Sequence, residues 1–299
     1  MIPFVRDLQF EYGRVDRVSP LIRRVIANNP GPFTYTGTGT YIVGSGEVAI
    51  VDPGPADDAH LAALLAAVAG ERVSAIVITH SHLDHSPLAA PLKAATGATV
   101  YGRGVDGIAH DHGPTMEEGD DSVFRPDVTV EDGDVVSGPG WTLTAMLTPG
   151  HASNHVCYGL AEEQALFSGD HVMGWSTTVV SPPDGDMTAY YASLDRVRSA
   201  DFATLWPTHG APITDPGPFI DAYKAHRLDR ERQIVEQLAA GRTRIAEMVP
   251  VMYAAVDKRL HPAASRSVLA HIQHLTRTGV IETDGPAVEG SAYRLSRLR

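Results

Sequence analysis

The run Thr79-His80-Ser81-His82-Leu83-Asp84-His85 places three histidines and one aspartate within six residues. Imidazole nitrogens and carboxylate oxygens are ligands for zinc and its neighbours. The run follows an apolar stretch, residues 73–78, so one buried strand would deliver four ligands to the loop at its C-terminal end. Three further stretches repeat the arrangement. Thr148-Pro149-Gly150-His151 follows residues 141–147, Ser168-Gly169-Asp170-His171 follows residues 165–167, and Pro207-Thr208-His209-Gly210 follows residues 203–206. Each time an apolar strand stops, small residues intervene, and a His or Asp appears. Binding sites of α/β sheets gather beyond strand C-termini. Seven candidate ligands therefore converge on one edge: His80, His82, Asp84, His85, His151, Asp170 and His209.

Seven ligands suit two divalent ions. His80, His82 and His151 can hold the first, Asp84, His85 and His209 the second, and Asp170 can bridge because a carboxylate offers two oxygens. Two ions about 3.5–4 Å apart share a hydroxide nucleophile, available near neutral pH because metal binding lowers the pKa of water to about 7. The all-N/O set allows zinc, manganese, iron or cobalt without choosing among them; zinc is the first expectation. Asp84 is the catalytic candidate, placed to orient the hydroxide and relay a proton. Asp52 ends a strand on the same edge and is expected to orient a ligand or the loop. His171 adjoins Asp170. It is a candidate for touching substrate or protonating a leaving group, or its ring points away because its neighbour points in. Ser176, Thr177 and Thr178 are candidate pocket residues, or equally a polar turn.

The surrounding elements follow from period and punctuation. Strands are predicted over residues 40–45, 47–52, 73–79, 98–101, 128–136, 141–147, 156–160, 165–168 and 203–206. Helices are predicted over 59–69, 87–95 and 187–198. This β-α-β alternation indicates an α/β sandwich. Residues 102–126 lack a period and read as a long loop, with His110 and His112 exposed. His155 reads as a buried hydrogen-bonded histidine. The single cysteine, Cys157, sits in a strand-like run and reads as a small buried apolar residue. From about residue 218 three helical stretches (219–239, 244–255 and 262–278) precede two short strands flanking a Gly/Pro turn, the layout of a winged helix.

The 299 residues carry a net charge of −12, divided unevenly. Residues 1–221 sum to −17 and residues 222–299, with 13 Lys+Arg against 8 Asp+Glu, to +5. An acidic body is a poor general surface for nucleic acid. The third helix of the tail carries only Arg266 and Arg277, which argues against DNA groove recognition. The tail is expected to pack on the body and shape the pocket mouth. No apolar run reaches the roughly 20 residues that span a bilayer, and residues 1–7 lack a secretory pattern, so the sequence predicts a cytoplasmic protein.

At these ligand residues the chain resembles the metallo-β-lactamase superfamily, whose hallmark is an H-x-H-x-D-H loop followed by a distant His, Asp and His. The aspartate at 170 makes it similar to the glyoxalase II and RNase Z side; class B β-lactamases lack that bridging aspartate, which argues against β-lactam hydrolysis. The run from Phe167 to Val179, Tyr190-Tyr191-Ala192-Ser193-Leu194, Pro207-Thr208-His209-Gly210 and the winged-helix tail resemble the β-lactamase-like protein 2 subfamily, over about residues 37–299. That subfamily includes a mitochondrial single-strand endoribonuclease in animals. One member carries a cysteine where this chain has His171, so no shared ligand is implied there. The resemblance implies an αββα sandwich over residues 1–217 and a winged-helix-like α+β module over 218–299. It also implies two divalent metal ions and hydrolysis of an ester, thioester, lactone or phosphodiester, with a small ester-like molecule or single-stranded RNA as partner. An iron-dependent oxidoreductase and a winged-helix regulator are the competing classes, and the oligomeric state stays open.

Overall fold

Two mixed sheets stack face to face, each covered on its outer side by helices. The computed structural model describes residues 1–105 and 119–296; His110 and His112 lie outside the described residues. The first sheet runs β1 (Val15–Arg17), β2 (Ile22–Ile26), β3 (Gly39–Ser45), β4 (Glu47–Val51), β5 (Arg72–Val77), β6 (Thr99–Gly102) and β7 (Val128–Thr129) in that spatial order. It is antiparallel up to β4 and parallel from β4 onward. Helices α1 (Asp58–Ala67) and α2 (Ala89–Thr96) make the crossovers. The second sheet has the order β12 (Thr204–Pro207), β11 (Ala165–Gly169), β10 (Val156–Leu160), β9 (Trp141–Leu147) and β8 (Val135–Gly138), with α3 (Met187–Ser199) linking the parallel pair β11 and β12.

Strand period decides what each face buries. Along β3, Tyr41 and Val43 point between the sheets with Trp141, Leu143, Tyr158 and Phe167, whereas Ile42 points outward with Ile50, Leu64, Ile76 and Leu92. Each such side chain contributes about 1.5–3 kcal/mol on burial. Helix starts are set by capping carboxylates: Asp57 accepts from Ala59 N at 2.8 Å, and Asp186 accepts from Thr188 N at 2.7 Å and Ala189 N at 3.0 Å.

Two stretches differ from the sequence reading. Residues 128–136 do not form one strand. The chain turns at Gly133 (φ +84°), and Glu131 N donates to Asp134 Oδ2 at 2.8 Å, so β7 joins the first sheet and β8 the second. Strands β1 and β2 were not legible either. The two arginines of β2 interrupt its apolar pattern: Arg23 pairs with Glu71 at 2.7 Å and Arg24 is buried.

The C-terminal part comprises α4 (Pro216–Ala239), α5 (Ile245–Met252), α6 (His261–Arg277) and the two-stranded wing β13 (Ile281–Thr283) and β14 (Tyr293–Leu295). It has its own core around Ile234, Ile245, Val268, Ile272 and Tyr293. The first half of α4 packs into the body: Phe219, Ile220 and Tyr223 join Leu194, Val197 and Leu205. Several arginines of the tail are tied up rather than presented to a ligand. Arg232 pairs with Asp229 and Glu236, Arg259 with Asp257, and Arg277 with Asp186, while Arg227 is buried. Among the described residues no helix is long and apolar enough to cross a membrane.

Candidate metal centre

The C-terminal ends of β4, β5, β9, β11 and β12 meet at one edge, and the two sheets are stitched together there. Val156 N donates to Thr79 O at 2.7 Å and Gly39 N to Thr208 O at 2.8 Å, while Thr208 N donates to Gly169 O at 3.2 Å within the second sheet. All seven ligand candidates are brought to this edge, and all are buried.

They sort into two clusters. In the first, His80 Nε2 lies 3.0 Å from His82 Nδ1 and 3.3 Å from His151 Nε2. Ligand bonds of 2.0–2.1 Å at a tetrahedral angle would set nitrogens about 3.3 Å apart, so this spacing fits one ion. In the second, Asp84 Oδ2 lies 3.0 Å from His209 Nε2 and 3.4 Å from His85 Nε2. Asp170 spans both. Its Oδ1 is 3.4 Å from His209 Nε2 and 3.6 Å from His85 Nε2, and its Oδ2 is 3.8 Å from His151 Nε2. The chemistry of the unfilled valences agrees: His85 Nε2, His209 Nε2 and Asp170 Oδ1 are buried with no hydrogen-bond partner, a costly state unless something else satisfies them.

Charge tells the same story. Burial alone would push His85 and His209 down, but Asp84 and Asp170 hold both up, His209 to about 10 and His85 well above the ordinary imidazole range, with Asp52 adding to the latter. Burial alone would raise Asp84 and Asp170, yet the facing His85 and His209 hold both carboxyls well below their usual range. The second cluster thus pairs two carboxylates with two imidazoles that hold their protons, positive charge that a bound cation would replace. The first cluster is different: burial, followed by neighbouring imidazoles, keeps His80 well below the ordinary imidazole range and His82 at about 3, so these two rings are neutral ligands.

Supporting residues fix each ring. Asp52, in the left-handed region at φ +47° and fully buried, is the hub. Its Oδ1 accepts from Thr79 N at 2.8 Å. Its Oδ2 accepts from Thr79 Oγ1 at 2.8 Å and Thr208 Oγ1 at 2.9 Å and lies 2.9 Å from His85 Nδ1. A proton held on His85 Nδ1 leaves Nε2 as the ligand atom. His155 binds Thr148 Oγ1 at 2.9 Å through Nδ1 and accepts from Asp170 N at 3.2 Å through Nε2. Asp120 Oδ1 is 3.6 Å from His82 Nε2, and Asn154 Nδ2 donates to Ser81 Oγ at 2.9 Å. Asp120 and Asn154 carry no motif and were missed by the sequence reading; no local signal marks them.

At two candidates the structure selects between the alternatives left open by the sequence. His171 does not reach the pocket. Its ring is fully buried with centroid 5.0 Å from Tyr190, and burial lowers it to about 3, because the turn that aims Asp170 inward sends its neighbour outward. Thr178 is also buried and donates to Asp170 O at 2.8 Å, whereas Ser176 and Thr177 line the pocket. Cys157 is fully buried, with burial pushing its thiol up to about 12, so it offers no thiolate.

Above the clusters lies a pocket of about 400 Å³, open mouth included, walled by Pro32, Phe33, Met173, Trp175 and Val179 and floored by His82, Asp84, His151 and Asp170. Tyr35 stacks on Trp175 at its rim, centroids 4.7 Å apart and planes within 10°. No lysine or arginine occurs among the described lining residues.

An αββα sandwich with paired His/Asp clusters at one edge defines a metal-dependent hydrolase class. The sequence model of the Metallo-beta-lactamase superfamily matches residues 35–209, and that of the Beta-lactamase associated winged helix domain matches residues 245–287. The chain belongs to the metallo-beta-lactamase superfamily and is a hydrolase of it. It is 33% identical over 258 residues to an Atrochrysone carboxyl ACP thioesterase of Aspergillus chevalieri, covering 85% of this chain and 77% of that one. It is 31% identical over 277 residues to the Beta-lactamase-like protein 2 homolog of Caenorhabditis elegans, covering 90% and 88%. Among solved structures, a Beta-lactamase domain protein from Burkholderia ambifaria superposes with TM-score 0.79 at 21% identity, covering 97% of this chain and 96% of that one.

Proposed function

We propose that this protein is a dinuclear metal hydrolase of small ester-like substrates, with thioesters as the preferred class. The observation that carries this reading is the pocket: a small, largely apolar chamber with two hydroxyl side chains and no cation among its described lining residues. A phosphodiester polymer calls for basic groups along its track, whereas an acyl group calls for apolar walls. The name of the Aspergillus relative, a thioesterase acting on a carrier-bound acyl group, supports the same reading.

His80, His82 and His151 would hold one ion, Asp84, His85 and His209 the other, and Asp170 both, with zinc the first choice. When bound, the ions supply a nucleophile at neutral pH and polarise the scissile carbonyl. The chain does the rest. Asp84 faces His209 through Oδ2 and also lines the pocket, so its carboxylate can take the proton lost by the attacking water as the new C–O bond forms. Asp84 then returns that proton to the departing thiolate as the C–S bond breaks. The apolar walls exclude bulk water from the acyl group.

The test is a panel of short-chain and aromatic acyl thioesters, lactones and labelled single-stranded RNA, each with metal-depleted and zinc-reloaded protein. Thioester turnover that needs metal and is lost in Asp84→Asn is the expected result. Metal-dependent RNA cleavage without thioester or lactone turnover would transfer the assignment to a single-strand endoribonuclease.

A further inference from the structure

The structure assigns Arg227, a residue of the C-terminal module, a role in positioning the metal centre. On α4, Tyr223 and Arg227 are one turn apart and face the same way, toward residues 173–179 of the body. The Tyr223 hydroxyl lies within hydrogen-bond distance of Met173 N (3.2 Å), Met173 O (2.8 Å) and Ser176 O. Arg227 is buried, donates through Nη2 to Thr178 O, and sits 5.3 Å above the Tyr190 ring. The Tyr190 hydroxyl in turn donates to His171 O at 2.8 Å.

The Thr178–Val179 peptide is where these contacts meet the ligands. Thr178 Oγ1 lies 2.8 Å from Asp170 O and 3.1 Å from His171 O, which holds the turn that aims the Asp170 carboxylate. Val179 O is 2.7 Å from His151 Nδ1. A proton on Nδ1 directed at that carbonyl leaves His151 Nε2 facing His80. Met173, Trp175, Thr177 and Val179 of the same segment wall the pocket. One guanidinium from the tail thereby governs the backbone that orients a ligand of the first cluster and steadies the bridging aspartate. A guanidinium taken out of water keeps its place only by hydrogen bonding and by ring stacking. One of its contacts here is to the segment that carries the site, and the other is to Tyr190 of α3, whose hydroxyl holds His171 O beside Asp170. The long helix of the tail is thus a structural part of the centre rather than an appendage for another ligand.

This inference rests on the dinuclear reading, and the experiment separates the two. Metal-depleted wild-type, Arg227→Met, Arg227→Lys and Thr178→Val proteins are titrated with zinc against a chromophoric chelator, and KM and kcat are then measured on a thioester. Wild type is expected to bind two ions. Arg227→Met, which keeps the apolar stem and loses the donors, should weaken zinc binding about tenfold or more, the loss typical of partners that orient ligands. Arg227→Lys should recover part of that loss, and KM should rise in Arg227→Met because the pocket wall moves. Thr178→Val, which leaves the module interface intact, should weaken zinc binding in the same direction; it decides the matter should Arg227→Met fail to fold. Wild-type zinc affinity in a folded Arg227→Met protein or in Thr178→Val, or equal losses in the Met and Lys variants, would overturn the positioning role alone. A wild type that binds no zinc would overturn the dinuclear reading and this inference together.

Discussion

Replacing Asp52 by asparagine tests how the centre is built, because the substitution preserves shape, removes the charge and turns one acceptor oxygen into an NH2 donor. The left-handed backbone at Asp52 (φ +47°) suits asparagine, so no backbone strain is added. The amide must choose an orientation. Thr79 N, a backbone donor that cannot reverse, faces Oδ1 at 2.8 Å, so the amide oxygen takes that place. The amide NH2 then occupies the Oδ2 position, facing Thr79 Oγ1, Thr208 Oγ1 and His85 Nδ1 at 2.8–2.9 Å. The two hydroxyls can rotate to accept. His85 can accept only by moving its proton to Nε2, the atom that faces Asp84 and Asp170. Four bonds lose charge assistance, at roughly 1 kcal/mol each, but an amide is cheaper to bury than a carboxylate, leaving a net loss of about 1–2 kcal/mol. That is a fall in Tm of only a few degrees. Metal binding suffers separately: keeping Nε2 free sets two donors against each other in a buried site, about 1–3 kcal/mol, or roughly 10–100-fold in affinity for the second ion. Metal content after dialysis, zinc competition and a thermal melt together read this out. An Asp52→Asn protein that retains two ions at wild-type affinity would refute the tautomer argument, and one that fails to fold would refute the stability estimate.

Metal uptake should release protons and strengthen as pH rises from 6 toward 10. His209, held at about 10 by Asp170 and Asp84 against the opposing effect of burial, carries a proton at neutral pH that an ion must displace; zinc titration in weak buffer with a pH indicator measures the release, and uptake without proton release would contradict the reading. Gly150→Ala should lose the fold or cost more than about 2 kcal/mol, seen in a denaturant melt, because the residue sits at φ +144° and a Cβ there would lie 2.5 Å from Tyr190 Cα. Cys157 should resist thiol reagents in the native protein and react on unfolding, since it is fully buried and its thiol is pushed up to about 12; rapid labelling of the folded protein would contradict its placement.

The ligand candidates were readable because each is local to a strong signal. His80, His82, Asp84 and His85 share one loop after a buried strand, and His151, Asp170 and His209 each follow an apolar run and small residues that force a turn. The sandwich was readable from the alternation of strand and helix periods, and the tail from three helical runs before a Gly/Pro-flanked pair of strands. Where a period was broken, as by Arg23 and Arg24 in β2 or by the turn at Gly133, the reading failed, because charge and turn residues hide a strand whose partner is distant in sequence.

By itself, then, the sequence determined the chemistry: a nitrogen and oxygen ligand set large enough for two ions, carried at strand ends. Tertiary structure decided which way each side chain faces. It turned His171 into the protein behind Asp170, withdrew Thr178 and Arg227 from any ligand-facing surface, and made Asp52 the acceptor for four donors from two segments. It also walled the pocket with Pro32, Phe33, Met173, Trp175 and Val179, none of them from the tail. The physical reason is range. Ligand identity is a property of residue types and their immediate neighbours, whereas orientation, protonation and pocket polarity depend on groups that lie from tens to more than a hundred residues apart in sequence, which only the closed fold brings within hydrogen-bonding distance.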